Sequence, residues 1–183
     1  SVELYPFRQM IGAGLNGMMV GHLAVPALEG KEGVPASLSR KVVHDLLAEE
    51  LQFKGLVFTD ALAMKGVQGG GSVCLRALKA GNDLLLVPRR IKEEVEAVLQ
   101  AVKRGELSEA DLSARCRKVL AYKYALGLKN RPFVRLSGLS TRLNTPEARD
   151  LVSRLSQASV TVLSNKDRAL PMDPTVKDVA VVH

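Results

Sequence analysis

The chain has 183 residues and a formal net charge of +7, with 46% hydrophobic and 25% charged residues. That composition excludes a largely disordered chain, and no apolar run approaches the roughly 20 residues needed to span a bilayer. Residues 1 to 20 lack the basic start, apolar middle and small-residue cleavage site of a signal peptide.

Pro6 opens a predicted helix running to about Ala13, with Phe7, Met10 and Ile11 on one side. Gly14 and Gly17 bracket a turn into a short strand, Met18-Met19-Val20, which stops at Gly21-His22. Ser39 is the expected N-cap of a helix reaching about Leu51, with Val42, Val43, Leu46 and Leu47 at helical spacing. Gly55 ends it, and Leu56-Val57-Phe58 is a continuous apolar run ending at Thr59-Asp60. A run apolar on both faces is what a buried parallel strand needs.

The pattern then recurs. Val73 to Lys79 reads as helix with Gly81 as its C-cap, and Leu84 to Val87 as the next buried strand. Ile91, Val95, Val98, Leu99 and Val102 line a long helix that stops at Gly105. Ser108 caps another, with Asp111 as a capping-box-like partner and Leu112, Cys116, Val119 and Leu120 as its stripe. Alternating strand and helix predicts an α/β protein with a parallel sheet and right-handed crossovers. From Leu126 to about Asn144 a basic stretch punctuated by Gly127, Pro132 and Gly138 reads as a linker. Thr145-Pro146-Glu147 then starts a helix carrying Leu151, Val152 and Leu155. Val160 to Leu163 and Val176 to Val182 read as β-like, the start of a second α/β domain cut short. Three strands cannot close a barrel, so the chain is expected to be a piece of a larger enzyme.

Among residues that can carry chemistry, Asp60 is the sharpest, because parallel α/β folds present functional groups at the carboxyl edge of their strands. The structural alternative is an aspartate that caps a helix or bonds loop amides. His22 stands at the same edge by the same logic, against the alternative of a histidine bonded to a loop carbonyl. His44, beside Asp45, is expected on a helix surface or half-buried, and Asp83 in a structural turn. Met64 is a pocket residue or packing. Gly69-Gly70-Gly71-Ser72 reads as a flexible connector: no Lys-Ser or Lys-Thr follows it, and no GxGxxG is present. Cys74 and Cys116, the only cysteines, are expected to be buried thiols, and no metal-ligand cluster is recognisable. The basic clusters lack interleaved aromatics, so they read as solvated helix faces and not as a nucleic-acid site.

The stretch Lys54-Gly55-Leu56-Val57-Phe58-Thr59-Asp60-Ala61-Leu62-Ala63-Met64-Lys65-Gly66 resembles the nucleophile signature of glycoside hydrolase family 3, and within it the β-N-acetylhexosaminidase branch more than the β-glucosidases. Four further stretches fit in order: Tyr5-Pro6-Phe7, Met18 to His22, Pro35 to Ser39, and Ala77 to Leu86. Lys118 to Leu128 is similar to the family's closing barrel helix, and Thr161 to Asn165 with Leu170-Pro171 to its entry into a second domain. The resemblance implies the last three strand-helix units of a (β/α)₈ TIM barrel over 1–126, a linker over 127–144, and the start of a second α/β domain over 145–183. It implies Asp60 as the nucleophile of a retaining mechanism that uses neither metal nor cofactor, with His22 and Met64 lining the sugar subsite. The implied substrate is a glycan or muropeptide ending in β-linked N-acetylglucosamine, and the implied setting a bacterial cytoplasm or periplasm. No Lys-His-Phe-Pro-Gly-like stretch is present, so the general acid is expected in a missing N-terminal half of the barrel. A catalytically incomplete scaffold and a β-glucosidase-like enzyme are the alternatives.

Overall fold

The computed structural model describes residues 2–30, 33–67, 70–131, 133–168 and 170–175. Its centre is a parallel strand pair, β1 (Gly17–Val20) and β2 (Leu56–Thr59), in register Gly17 to Leu56 through Val20 to Thr59. Both strands enter after a glycine-containing turn, and Gly55 is constrained by packing. A Cβ there would lie 2.6 Å from the Asn16 carbonyl oxygen and 2.5 Å from the Phe53 ring, closer than any side chain tolerates. The chain reaches β2 through a π-helix, Lys41–Glu50. Ser39 does the work expected of a cap: its hydroxyl accepts the Val42 amide at 3.1 Å and donates to the Glu29 carboxylate.

The helices are α1 (Tyr5–Gly12), α2 (Pro26–Glu29), α3 (Val73–Ala80), α4 (Ile91–Lys103), α5 (Glu109–Ala125), α6 (Leu139–Arg142) and α7 (Pro146–Ser159). Ser72, Ser108 and Thr145 cap α3, α5 and α7 by accepting the amides of Leu75, Asp111 and Ala148. Gly81 closes α3 in the left-handed conformation at φ +119°, where a Cβ is disfavoured. The α/β class expected from the alternation is thus borne out. No helix among the described residues is long and apolar enough to cross a membrane.

Two apolar clusters sit around the sheet. Val20, Val43, Leu47, Leu51, Phe53, Val57 and Ala80 form one, between the strands and the π-helix. Leu38, Leu62, Val67, Val73, Cys74 and Ala77 form the other, beneath the loop that follows β2. Each large side chain buried this way contributes roughly 1.5–3 kcal/mol. The strands are covered on one face only: Met18 and Val20 beside Val57 and Thr59 face the first cluster, while Met19, opposite Phe58, is half exposed. The expectation that these strands are buried on both faces is corrected accordingly, since nothing within the described residues packs over Met19.

Three further expectations change. The strand foreseen at Leu84–Val87 shrinks to one parallel bridge, Phe58 to Leu84. The Thr59 hydroxyl, not a strand carbonyl, accepts the Leu86 amide at 3.1 Å. Val87 then turns to φ +47° ahead of Pro88, an outlying conformation for a β-branched residue that ends the extended run. Val160 to Leu163 form no strand, because no described segment pairs with them and all four are exposed; Val176 to Val182 lie outside the described residues. Cys116 is exposed, contrary to the pair of buried thiols expected, whereas Cys74 is buried.

The chain divides into two units, Ser1–Pro132 and Phe133–His183. In the second, none of the described residues is buried, and the Leu151, Val152 and Leu155 stripe of α7 is open. A single turn, α6, interrupts the stretch expected as linker.

Asp83 ties the first unit together at the amino end of β2. One oxygen, Oδ2, accepts the Val57 amide at 2.9 Å and the Lys118 ammonium from α5 at 2.6 Å, with the carboxyl side chain 8% exposed. Removing one partner of a largely buried ion pair strands the other. Asp83→Ala should therefore lower unfolding free energy by about 3 kcal/mol, read as a drop in the urea midpoint at unchanged slope.

Candidate active site at the carboxyl edge of the strands

Parallel pairing brings the carboxyl ends of β1 and β2 to one edge, and Asp60 follows β2 there directly. Strand alternation puts it on the side of Phe58 and Met19, away from the helix-packed face. Its backbone amide donates to Val20 O at 3.1 Å, so the end of β1 fixes where the residue sits. Its Oδ1 accepts the Ala61 amide at 2.6 Å. The loop-bonding role open to this aspartate is thus filled by one oxygen, while Oδ2 accepts no hydrogen bond among the described residues.

The structure brings His22 to the same edge. Its Nδ1 lies 2.7 Å from the Ser37 hydroxyl and its Nε2 3.0 Å from the Ala61 carbonyl. The loop-carbonyl bond considered for this histidine therefore exists, and its acceptor is the residue next to Asp60. Met64 is 48% exposed, and its amide donates to the same Ala61 carbonyl at 3.1 Å. Arg89, part of a basic run, spends its Nε–H on Ala63 O at 2.8 Å, holding the loop that carries Met64.

The other candidates fall elsewhere. Asp83 is at the amino end in a structural role, as expected. His44 bonds Asp45 at 2.9 Å on the surface of the π-helix. Gly70 and Gly71, at φ +73° and +87°, lead into Ser72, which caps α3; Gly69 lies outside the described residues. Ser37, fully buried, was not singled out from the residues themselves, although it lies in the Pro35 to Ser39 stretch. A polar residue wholly buried beside a histidine is visible only once the chain is folded. A cavity of about 650 Å³ opens nearby, lined by Leu62, Val67, Arg89, Arg90, Glu93 and Glu94 among others. Neither Asp60 nor His22 lines it, so the chemistry is read from the strand edge and not from that hollow.

Cys74 is no competing nucleophile. Burial, then the charge of Glu94 and a hydrogen bond to it, push its thiol up to about 12, and the thiolate is the reactive form. Native chain should consequently titrate one thiol with Ellman's reagent at mildly alkaline pH, from exposed Cys116, and two after denaturation.

Residues 1–122 match the family model described as the glycosyl hydrolase family 3 N terminal domain. A β-hexosaminidase of Nitrosomonas eutropha is 40% identical over 88 residues, 46% of this chain and 24% of that protein. A β-N-acetylglucosaminidase/β-glucosidase of Cellulomonas fimi is 24% identical over 177 residues, 91% of this chain and 31% of its own length. Among solved structures, a glycoside hydrolase family 3 β-N-acetylglucosaminidase from Paenibacillus sp. superposes with a TM-score of 0.74 at 37% identity, covering 88% of this chain and 31% of that one. The chain thus spans a quarter to a third of the length of these relatives.

Proposed function

Since this chain belongs to glycoside hydrolase family 3, we propose that it carries the nucleophile of a retaining glycosidase and that Asp60 is that nucleophile. One observation carries the reading: Asp60 is anchored through its backbone at the carboxyl edge of the strands while one carboxylate oxygen has no partner among the described residues. In the proposed reaction that oxygen attacks the anomeric carbon of a terminal sugar as the bond to the leaving oxygen breaks. The leaving oxygen takes its proton from a general acid outside these residues, and water then hydrolyses the covalent glycosyl-enzyme. An ionised carboxylate suits both halves, since it stabilises oxocarbenium-like charge and leaves readily. His22 and Met64 flank the sugar site. We further read the sugar as β-linked N-acetylglucosamine on peptidoglycan-derived fragments or related glycans, a choice supported by the names of the Nitrosomonas and Paenibacillus relatives. The double name of the Cellulomonas relative keeps a β-glucoside as the second reading.

The architecture belongs to the same proposal: 1–126 as the last three strand-helix units of a TIM barrel, 127–144 as a linker and 145–183 as the start of a second domain. The open face at Met19 and the fractional coverage of the relatives support it.

On this reading the purified 183-residue chain releases no 4-nitrophenol from the β-N-acetylglucosaminide, and the enzyme completed with its missing barrel segment does. Asp60→Asn in the completed enzyme should reduce kcat by about 10⁴-fold or more, and a fluorinated glycosyl fluoride should label the peptide containing Asp60. An active Asp60→Asn variant, or a label elsewhere, would remove the assignment. A larger kcat/KM for the β-glucoside would instead select the second substrate.

A further inference from the structure

We infer that Ser37 and His22 are positioning residues for Asp60, acting on the loop backbone beside the carboxylate and not on the sugar. The inference rests on Asp60 being the nucleophile.

The proton pattern follows from what each partner can do. The Ala61 carbonyl only accepts, so the His22 Nε2, 3.0 Å away, must carry a proton. In the neutral ring Nδ1 is then bare, and the Ser37 hydroxyl, 2.7 Å from it, donates. The backbone of Ser37 holds its hydroxyl in that place. The residue is fully buried, its amide donates to Gly21 O at 3.2 Å, and its carbonyl accepts from the Asn82 side chain at 2.8 Å. Both ring nitrogens of His22 are thereby committed to protein groups, leaving no ring N–H for a sugar hydroxyl.

What the ring holds is the residue after the nucleophile. Ala61 offers its amide to Asp60 Oδ1, and its carbonyl receives His22 Nε2 and the Met64 amide. The next amide, Leu62, donates to Leu86 O at 2.8 Å. Asp60 Oδ1 is thus aimed by a backbone amide whose own residue is pinned from the β1 side by His22 and from the 84–86 segment by Leu86. Losing the His22 bond leaves the Ala61 carbonyl held by the Met64 amide alone, which loosens the Ala61 backbone whose amide aims Oδ1. Displacement of a reacting group by about 1 Å costs on the order of 100-fold in rate, and that loss falls on kcat because no sugar contact is removed.

The test compares two amides in the completed enzyme. Glutamine places an N–H near the position of Nε2, whereas asparagine reaches only as far as Nδ1. His22→Asn should lower kcat by roughly 10- to 100-fold with KM within about 3-fold, and His22→Gln should recover most of it. Ser37→Ala should give a smaller kcat loss of the same kind. Independently of any variant's folding, a long-range ¹H–¹⁵N spectrum of the chain at mildly alkaline pH should show the His22 ring as the Nε2–H tautomer. A rise in KM with kcat kept, equal behaviour of the Asn and Gln variants, or an Nδ1–H tautomer would each overturn the positioning role. Asp60→Asn is run alongside: if that variant stays active, the nucleophile assignment falls and the inference with it. If it is dead while His22→Asn changes KM alone, only the positioning role falls.

Discussion

Parallel pairing of two four-residue strands is the constraint from which the rest of the site follows. Antiparallel strands would put the ends of β1 and β2 at opposite edges; the parallel register puts Gly21-His22 and Asp60 at the same one. The bond from the Asp60 amide to Val20 O continues that register one residue beyond the ladder. The position of the carboxylate is therefore a consequence of strand pairing and not of loop conformation. The loop beyond it is then held by three bonds from two separate segments, through His22 on one side and Leu86 and Arg89 on the other. A group meant to react with little reorganisation benefits from such support.

Much of this was legible in the sequence, for physical reasons that differ from element to element. Ser108 and Thr145 are readable as caps before a periodic apolar run, because the first amides of a helix need an acceptor, and both accept as expected; Ser72, read as part of a connector, caps α3 as well. Strands β1 and β2 were readable as apolar runs closed by glycine or by a polar pair. Leu84 to Val87 looks the same in composition, but the Thr59 hydroxyl competes for its ladder bond and Val87 turns to φ +47°. Neither event shows in hydrophobicity. Cys116 misled for a related reason: it lies on a helical stripe, and a stripe predicts burial only where something covers it.

The site itself was partly legible. Asp60 and His22 were placed by their position after apolar runs, which is a property of the chain order. Their connection through Ala61 and Ser37 is not, since Ser37 is separated from His22 by 15 residues and Ala61 by 39. A backbone carbonyl has no sequence signature, and a buried serine has little more. Family resemblance at Pro35 to Ser39 marked the stretch without giving the reason for it.

The two buried-edge aspartates show how one sheet assigns opposite tasks to one side chain. Asp83, at the amino end of β2, receives a backbone amide and a lysine ammonium on a single oxygen and is nearly enclosed. Its charge is spent on holding α5 to the strand, and a carboxylate so engaged is a poor nucleophile because its electrons are already shared with donors. Asp60, at the carboxyl end, receives one short bond from its neighbour's amide, which orients the group, and its second oxygen accepts none among the described residues. Lys118 reaches Asp83 from α5, and Asp60 lies past the end of β2, on a side that no helix among the described residues covers. The difference in donor count thus follows from the fold: helices return to the amino end of a parallel strand, and the carboxyl end is left to loops.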